Sequence, residues 1–363
     1  MKNTLGTNVK ITLFGESHGE AIGAVLDGIA PGITVDSDFI ANQLSLRRPV
    51  GQISTPRVET DKFEIISGVF EGKTTGTPVC IVIPNENTKS KDYGEISSKA
   101  RPGHADFTAY EKYHGFEDYR GGGHFSGRIT AGIVAAGAIA ISALRQKGIF
   151  IGTHISRLAG IEDKAFSDIE SEIFQLNNKE FAVIDNTKAE EMKQAILNAK
   201  SQGDSVGGVL ETAVIGMPVG VGEPWFDSIE SMLSHALFSI PAIKGVEFGA
   251  GFAIADMKGS EANDSFRMKN GLVTTLTNNN GGINGGISNG MPITFRCAVK
   301  PTPTISKAQQ TIDYIKKEDT ELTAKGRHDP CIVHRARVVV DSITAIVLCD
   351  ILSQRFGTDW LVK

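Results

Sequence analysis

The chain has 363 residues, of which 40% are hydrophobic and 22% charged, and its formal net charge is −5. That is a globular, core-forming composition, long enough for one large domain or two ordinary ones. The acidic balance argues against a general nucleic-acid or anionic-membrane binder, and 40 glycines against 7% aromatics point to tight turns and close backbone contacts.

The first residues, MKNTLGTNVKITLFGES, hold no apolar leader. Residues 10–14 read as a strand, GESHG (15–19) as a turn, and 21–26 as a second strand. Asp36 or Ser37 can cap a helix that runs to Leu46 and stops before Pro49. Arg47 and Arg48 sit at its negative end, where cations are favoured. Residues 63–70 and 78–83 are further strands, 84–102 a polar loop, and 105–116 a helix. Next comes DYRGGGHFSGR, residues 118–128, with Ser126 as a candidate helix cap.

A helix rich in alanine and glycine follows, to about Gln146, with Gly148 as its stop. Its most apolar run, 132–144, is too short to span a bilayer. With so little side chain it belongs where other elements approach closely, in the middle of the fold. Strands are expected at 149–158, 207–216, 246–257 and 293–299, and helices at 189–200, 229–238 and 337–355. The tract NNNGGINGGISNG (278–290) is too central and too apolar in its flanks for a linker. No linker, charge block or repeat divides the chain, so one α+β or α/β domain is the simplest reading. Cys80, Cys297, Cys331 and Cys349 are scattered, which fits reduced thiols in a cytosol rather than a structural zinc site.

Three consecutive glycines are entropically costly and suit a backbone passing close to a ligand. A glycine-rich loop entering a helix can point free N–H groups at an anion, with Arg120 and Arg128 as added donors. A flexible surface loop before a core helix explains the same composition. Other polar clusters repeat the theme of cations beside a proton-moving group. GESHG has Ser17 and His18, and RPGHAD has Arg101, His104 and Asp106. KPTPT begins at Lys300, and KGRHDPC carries Lys325, Arg327, His328 and Asp329. Positive loops on an acidic chain suggest a small polyanionic ligand focused into one cleft. Each cluster also has a plainer reading. His18 and His104 can be turn histidines, Asp329 a cap before Pro330, and Arg47 and Arg48 only helix-end charges. His114, His154 and His235 read as structural.

In this order, GESHG, RPGHAD, the glycine loop, GGINGGISNG, KPTPT and KGRHDPC closely resemble the chorismate synthase family, over residues 4–356. The resemblance implies an α+β fold, a single-domain β-α-β sandwich with a helical core between β layers, assembled as a homotetramer. It implies a phosphate lyase that converts 5-enolpyruvylshikimate 3-phosphate to chorismate, with reduced FMN required and no net redox change. It implies catalytic roles for His18, His104 and Asp329, with Ser17 and Ser126 in a relay. His124, Phe125, Ser126, Ala242, Gly285, Lys300, Pro301, Thr302, Pro303, Thr304 and Arg327 occupy its FMN-contact positions. Arg47, Arg101, Arg128, Lys300 and Arg327 occupy its substrate-binding positions. Some members of the family reduce the flavin themselves with NADPH and others rely on a separate flavin reductase with NADPH as an indirect reductant; the chain has no G-x-G-x-x-G fingerprint, and its length is near that of the members that lean on outside reduction, so a separate reductase is expected. The chain departs from the family's usual pattern at His124 and Phe125, where an arginine and a serine are common, and near Val50 and Gln52, where a glycine and an arginine are usual. A non-flavin lyase acting on a phosphorylated acid, or an RNA-binding protein using the arginine loops, are the competing classes. Activity without reduced flavin would favour the first, and salt-sensitive RNA retention the second.

Overall fold

The computed structural model describes residues 2–49, 51–55, 60–86, 98–324 and 329–362. Two antiparallel five-stranded sheets enclose a pair of helices. The first sheet runs Thr4–Leu5, Lys10–Gly15, Ala21–Asp27, Val79–Pro84, Glu64–Ser67 in spatial order, and the second Ile243–Phe248, Ile293–Val299, Gly208–Ile215, Phe150–Leu158, Ile161–Glu162. The helix Thr130–Gln146 packs on the first sheet and on the helix Val333–Phe356, which in turn packs on the second sheet. One cluster of buried apolar side chains extends from Val9 to Leu361 through all of these layers.

Small residues make the layering possible. A Cβ at Gly132 would lie 2.8 Å from the Gly23 carbonyl oxygen of the first sheet, and one at Gly137 would lie 2.3 Å from Ser342 Cβ of the C-terminal helix. The two faces of this helix are therefore shaved to the backbone where sheet and helix cross it. Residues Gly127–Gln146 are apolar and long enough to cross a membrane, but 89% of that window is buried inside the protein. Hydrophobicity here serves a core.

Local chemistry sets most boundaries. Asp36 caps the helix Ser37–Arg47 by accepting from the amides of Asp38 and Phe39. The strand expected over 63–70 is split into Glu64–Ser67 and Val69–Phe70. Gly68 lies between them with φ +83°, and a Cβ there would meet the Pro78 carbonyl at 2.5 Å. The strand expected over 246–257 runs instead over Ile243–Phe248 and gives way to a 3-10 turn at Gly251–Asp256. The helix expected over 105–116 spans Asp106–Tyr113 and ends on left-handed His114. The last helix begins at Val333, one turn earlier than expected. Part of the loop expected over 84–102 lies outside the described residues.

His154 lies fully buried in the second sheet, with Nδ1 2.9 Å from Asp163 and Nε2 2.9 Å from Glu211. Burial alone would lower its pKa, but the two carboxylates outweigh it and hold the imidazole above its usual value. Asp163 also accepts from the amides of Ile184 and Asp185, and despite its burial it is held below the usual carboxylate range. The signs are opposite. The raised histidine contributes stability below its unfolded pKa of about 6.5 and loses it as pH rises through the folded value; the lowered aspartate contributes above about 3.9 and loses it as pH falls. The clasp is therefore strongest between roughly pH 4 and 6.5. The stability gap between the native protein and His154→Asn, read from urea midpoints, is expected to be larger at pH 6 than at pH 9.

Candidate functional site

The glycine loop is the meeting point of the polar clusters. Arg120–Phe125 forms tight 3-10 turns with Gly121, Gly122 and Gly123 all at positive φ. A Cβ at Gly121 would fall 2.1 Å from His18 Cε1 and 2.6 Å from Ser17 Oγ, and one at Gly122 would fall 3.3 Å from His104 Nε2. The glycines thus let two histidine rings lie directly on the backbone. A free anion cradle was the sequence expectation; the immediate neighbours of these two glycines are instead the candidate catalytic side chains. Ser126 accepts from the Arg128 amide at 3.3 Å and caps the 3-10 turn Gly127–Ile129 that feeds the central helix.

GESHG is clamped to this loop. The Ser17 amide donates to the Gly123 carbonyl at 3.1 Å, and Ser17 Oγ lies 3.1 Å from the Gly121 carbonyl and 2.9 Å from His18 Nδ1. His124 Nδ1 donates to the Gly15 carbonyl at 2.8 Å. That bond accounts for His124 as a structural clasp between the two loops. Phe125 turns its ring edge to Tyr113 and lines the neighbouring cleft.

His104 is oriented by a carboxylate. Its Nδ1 is 2.7 Å from Asp106 Oδ1, so Nδ1–H donates there and Nε2 is turned toward Gly122. Arg101 grips the same carboxylate with Nε at 2.8 Å and Nη2 at 2.7 Å, and its Nη1 is 3.5 Å from Thr304 Oγ1. Burial raises the pKa of Asp106, but the bonds from Arg101 and His104 prevail and hold it well below the usual carboxylate range. Asp106 therefore stays ionised. Arg101, expected on the substrate, turns its fork to Asp106.

KPTPT joins this group. Lys300 Nζ donates to the Gly103 carbonyl, and its amide donates to the Ala242 carbonyl at 2.9 Å. Pro303 lies against Gly103. Ala242 is a non-glycine residue at φ +76°, a conformation that alanine avoids. The Thr302 hydroxyl is buried with no hydrogen-bond partner among the described residues. Such a group is costly unless something else satisfies it. Pro301 is exposed at the start of this loop. Gly285 sits in the turn of the hairpin Ile283–Asn284/Ile287–Ser288, whose Gly286 and Ser288 bond the 220–229 segment.

A second group of cations adjoins the first. Arg47 Nη2 donates to Asp61 at 3.0 Å, and Arg128 Nη1 donates to the other oxygen of that carboxylate. Arg128 Nε also donates to Asn85 Oδ1 at 3.1 Å, while Asn85 Nδ2 donates to the carbonyls of Glu16 and Gly19. Asn85 thereby ties the GESHG turn to Arg128. Asp329 pairs with Arg335, whose Nη1 is 3.5 Å from the Arg47 carbonyl. Among the described residues Asp329 makes no bond to Ser17 or Ser126, so the expected three-residue relay is not assembled by direct contact. Arg327, like Lys325, His328, Val50 and Arg57, lies outside the described residues. Gln52 is exposed on the turn Gly51–Ile53, where its carbonyl accepts from Lys200.

Asp61, Asn85, Asp106 and Arg335 are the partners that sequence reasoning left without a role. Asp106 had a signal, since RPGHAD places a carboxylate two residues after the histidine. Asp61, Asn85 and Arg335 had none.

Residues 9–352 match the family model described as chorismate synthase. The chain is 47% identical over 354 residues to a chorismate synthase of Dehalococcoides mccartyi, covering 97% of this chain and 96% of that protein. It is 43% identical over 358 residues to one of Thermococcus kodakarensis, covering 99% of each. A crystal structure of a chorismate synthase superposes with a TM-score of 0.77 at 32% identity, covering 97% of this chain and 94% of that one.

Proposed function

The chain belongs to the chorismate synthase family, and from that membership we propose how its residues share the reaction. The activity is the carbon–oxygen lyase step of the shikimate pathway that eliminates phosphate from 5-enolpyruvylshikimate 3-phosphate to give chorismate, on the route to aromatic amino acids. The family as a whole requires a reduced flavin. We assign that flavin as reduced FMN, held by Phe125, Ser126, Ala242 and Lys300 to Thr304, with Arg327 and Gly285 contributing from outside the cluster. The observation that supports the assignment is that the glycine loop meets RPGHAD at Gly122–His104 and RPGHAD meets KPTPT at Gly103–Pro303 and Arg101–Thr304, a segment whose Thr302 hydroxyl is buried with no partner among the described residues. A polar edge of a planar ligand would complete it.

A reduced flavin held there would supply transient electron density as the phosphate departs. Everything else is done by side chains. His104, fixed through Nδ1 by Asp106, offers Nε2 to hold or give a proton at the flavin edge. His18, braced by Ser17 against Gly121, gives a proton toward the leaving phosphate. Asp329 accepts the proton lost from carbon, with Ser17 and Ser126 linked to it through intervening solvent or substrate. Arg47 and Arg128 hold the substrate's anionic groups, and Lys300 and Arg101 add positive potential beside them. Fixed cations aimed at departing phosphate act where charge develops, usually the largest catalytic effect.

We further propose that the chain is one domain, works in the cytoplasm as a homotetramer and relies on a separate flavin reductase. The assembly is supported by Phe252, Phe266, Met268 and Leu272, exposed together on one segment. The cytoplasmic setting is supported by four free cysteines. For the flavin site the test is Thr302→Val, read by spectroscopic titration with FMN. A hydroxyl that bonds the flavin predicts about fivefold weaker binding. Unchanged affinity would remove Thr302 from the flavin site.

A further inference from the structure

The two oxygens of Asp329 are treated differently. Among the described residues its one ion-pair partner is Arg335, whose Nη2 donates to Oδ2. The other oxygen, Oδ1, is buried and accepts no hydrogen bond among the described residues. Both side chains are largely enclosed, 13% exposed for the aspartate and 14% for the arginine.

Arg335 stands on a rigid element. It lies in the first turn of Val333–Phe356, the helix packed between the second sheet and Thr130–Gln146. Its amide donates to the Ile332 carbonyl at 3.1 Å, and its Nη1 is 3.5 Å from the Arg47 carbonyl at the end of the helix Ser37–Arg47. One guanidinium thus joins the Asp329 carboxylate to the element that carries Arg47. Next to Asp329, the Pro330 carbonyl accepts from the Val206 amide at 2.9 Å, which pins the backbone there.

A largely buried ion pair is weak evidence of stabilisation, because desolvating the charges offsets their attraction. The geometry is more informative. A guanidinium and a carboxylate can pair through two parallel bonds. A buried oxygen left out of such a pair costs free energy unless something else satisfies it. A pair that served the fold alone would close both oxygens. Here Oδ2 is committed and Oδ1 is kept for another donor, which is the arrangement a proton acceptor needs.

We propose that Arg335 is a positioning residue for the elimination: it holds Asp329 through Oδ2 and so presents Oδ1 as the oxygen that accepts the proton lost from carbon. This rests on the reading of Asp329 as the proton acceptor. Arg335 takes no proton itself and acts through Asp329.

The test uses the flavin-loaded enzyme with Arg335→Gln, Arg335→Lys, Asp329→Asn and the Arg335→Gln/Asp329→Asn pair. Each is read by kcat, KM, FMN affinity and the pH dependence of kcat. Arg335→Gln is expected to lose about thirtyfold in kcat, somewhat short of the hundredfold scale set by misplacing a group by an ångström. KM and FMN affinity should stay within about twofold, because the interaction matters only as the proton moves. A carboxylate that loses an adjacent cation takes up a proton more readily, so the acid limb of the kcat profile should move up by about one pH unit. Arg335→Lys restores the charge and should return that limb to its native position. In the Asp329→Asn background, Arg335→Gln should cost about twofold or less, because the group it positions is gone. Should Arg335→Gln alone fail to fold, the comparison of Asp329→Asn with the double variant, which carries no unpaired carboxylate at this position, still reads that residual cost. Losses that multiply across the cycle, or FMN affinity falling together with kcat, would mean a general structural role and overturn the proposal. Arg335→Gln with native kcat and an unmoved acid limb, beside an impaired Asp329→Asn, would overturn it while leaving Asp329 as the proton acceptor. Native turnover in Asp329→Asn would remove that reading, and the proposal with it.

Discussion

His104→Ala is expected to lower turnover about a thousandfold, within the range for loss of a general acid or base, with melting temperature within a few degrees of the native protein. The ring lies on the glycine loop at Gly122 and spends Nδ1 on Asp106. Its removal enlarges the cleft lined by Arg101, Asp106 and Phe125 rather than opening a cavity in the apolar core. The Asp106–Arg101 pair remains bonded without it, so the loop keeps its anchor. Steady-state kinetics with reduced FMN, paired with thermal melts, checks both halves. His235→Ala is the control: that residue is exposed on the helix Ile229–Leu237 and should leave the chemistry unchanged. Full turnover in His104→Ala would show that Nε2 moves no proton in the reaction.

The second large effect is expected from a single methyl group. Gly121→Ala places a Cβ within 2.3 Å of both Cε1 and Nδ1 of His18, on a backbone at φ +60°. The left-handed conformation costs alanine about 1–2 kcal/mol, and relieving the overlap costs about 1–3 kcal/mol more. The loop cannot relax alone, because the Ser17 amide is bonded to Gly123 and the His124 ring to Gly15. Relief must come from His18 and Ser17 moving away. Turnover is expected to fall at least about a hundredfold with a stability loss of about 3 kcal/mol. Urea unfolding and kcat on the same preparation measure the two together. A variant with native turnover would show that His18 need not lie on this loop.

The central helix was legible because its signal is compositional: a run without bulk can be buried only between close neighbours, and Gly132 and Gly137 are those contacts. The strand Ile293–Val299 and the cap at Asp36 were legible because alternation and capping are local. The hairpin Gln309–Asp313/Glu318–Leu322 was not, since QQTID and EDTEL carry little apolar alternation and the pairing lies on the surface. The break at Gly68 was hidden for another reason. It depends on the Pro78 carbonyl, a neighbour ten residues away.

The candidate site divides along the same line. His18, His104, Ser126 and Lys300 stand in dense motifs and could be singled out by type and spacing. Asp61 stands alone in a plain segment, and its importance comes from Arg47 and Arg128 arriving from two other elements. Arg335 is one charged residue at the start of a long helix until Asp329 meets it. His124 shows the converse: a motif position can be occupied by a residue whose Nδ1 clasps the backbone of another loop.

The most direct test of the account is an anaerobic assay of the purified protein with 5-enolpyruvylshikimate 3-phosphate, comparing chemically reduced FMN, oxidised FMN with NADPH, and no flavin. Chorismate and one equivalent of phosphate are expected with reduced FMN only. Product formed at the same rate without flavin, or none with reduced FMN, would contradict it.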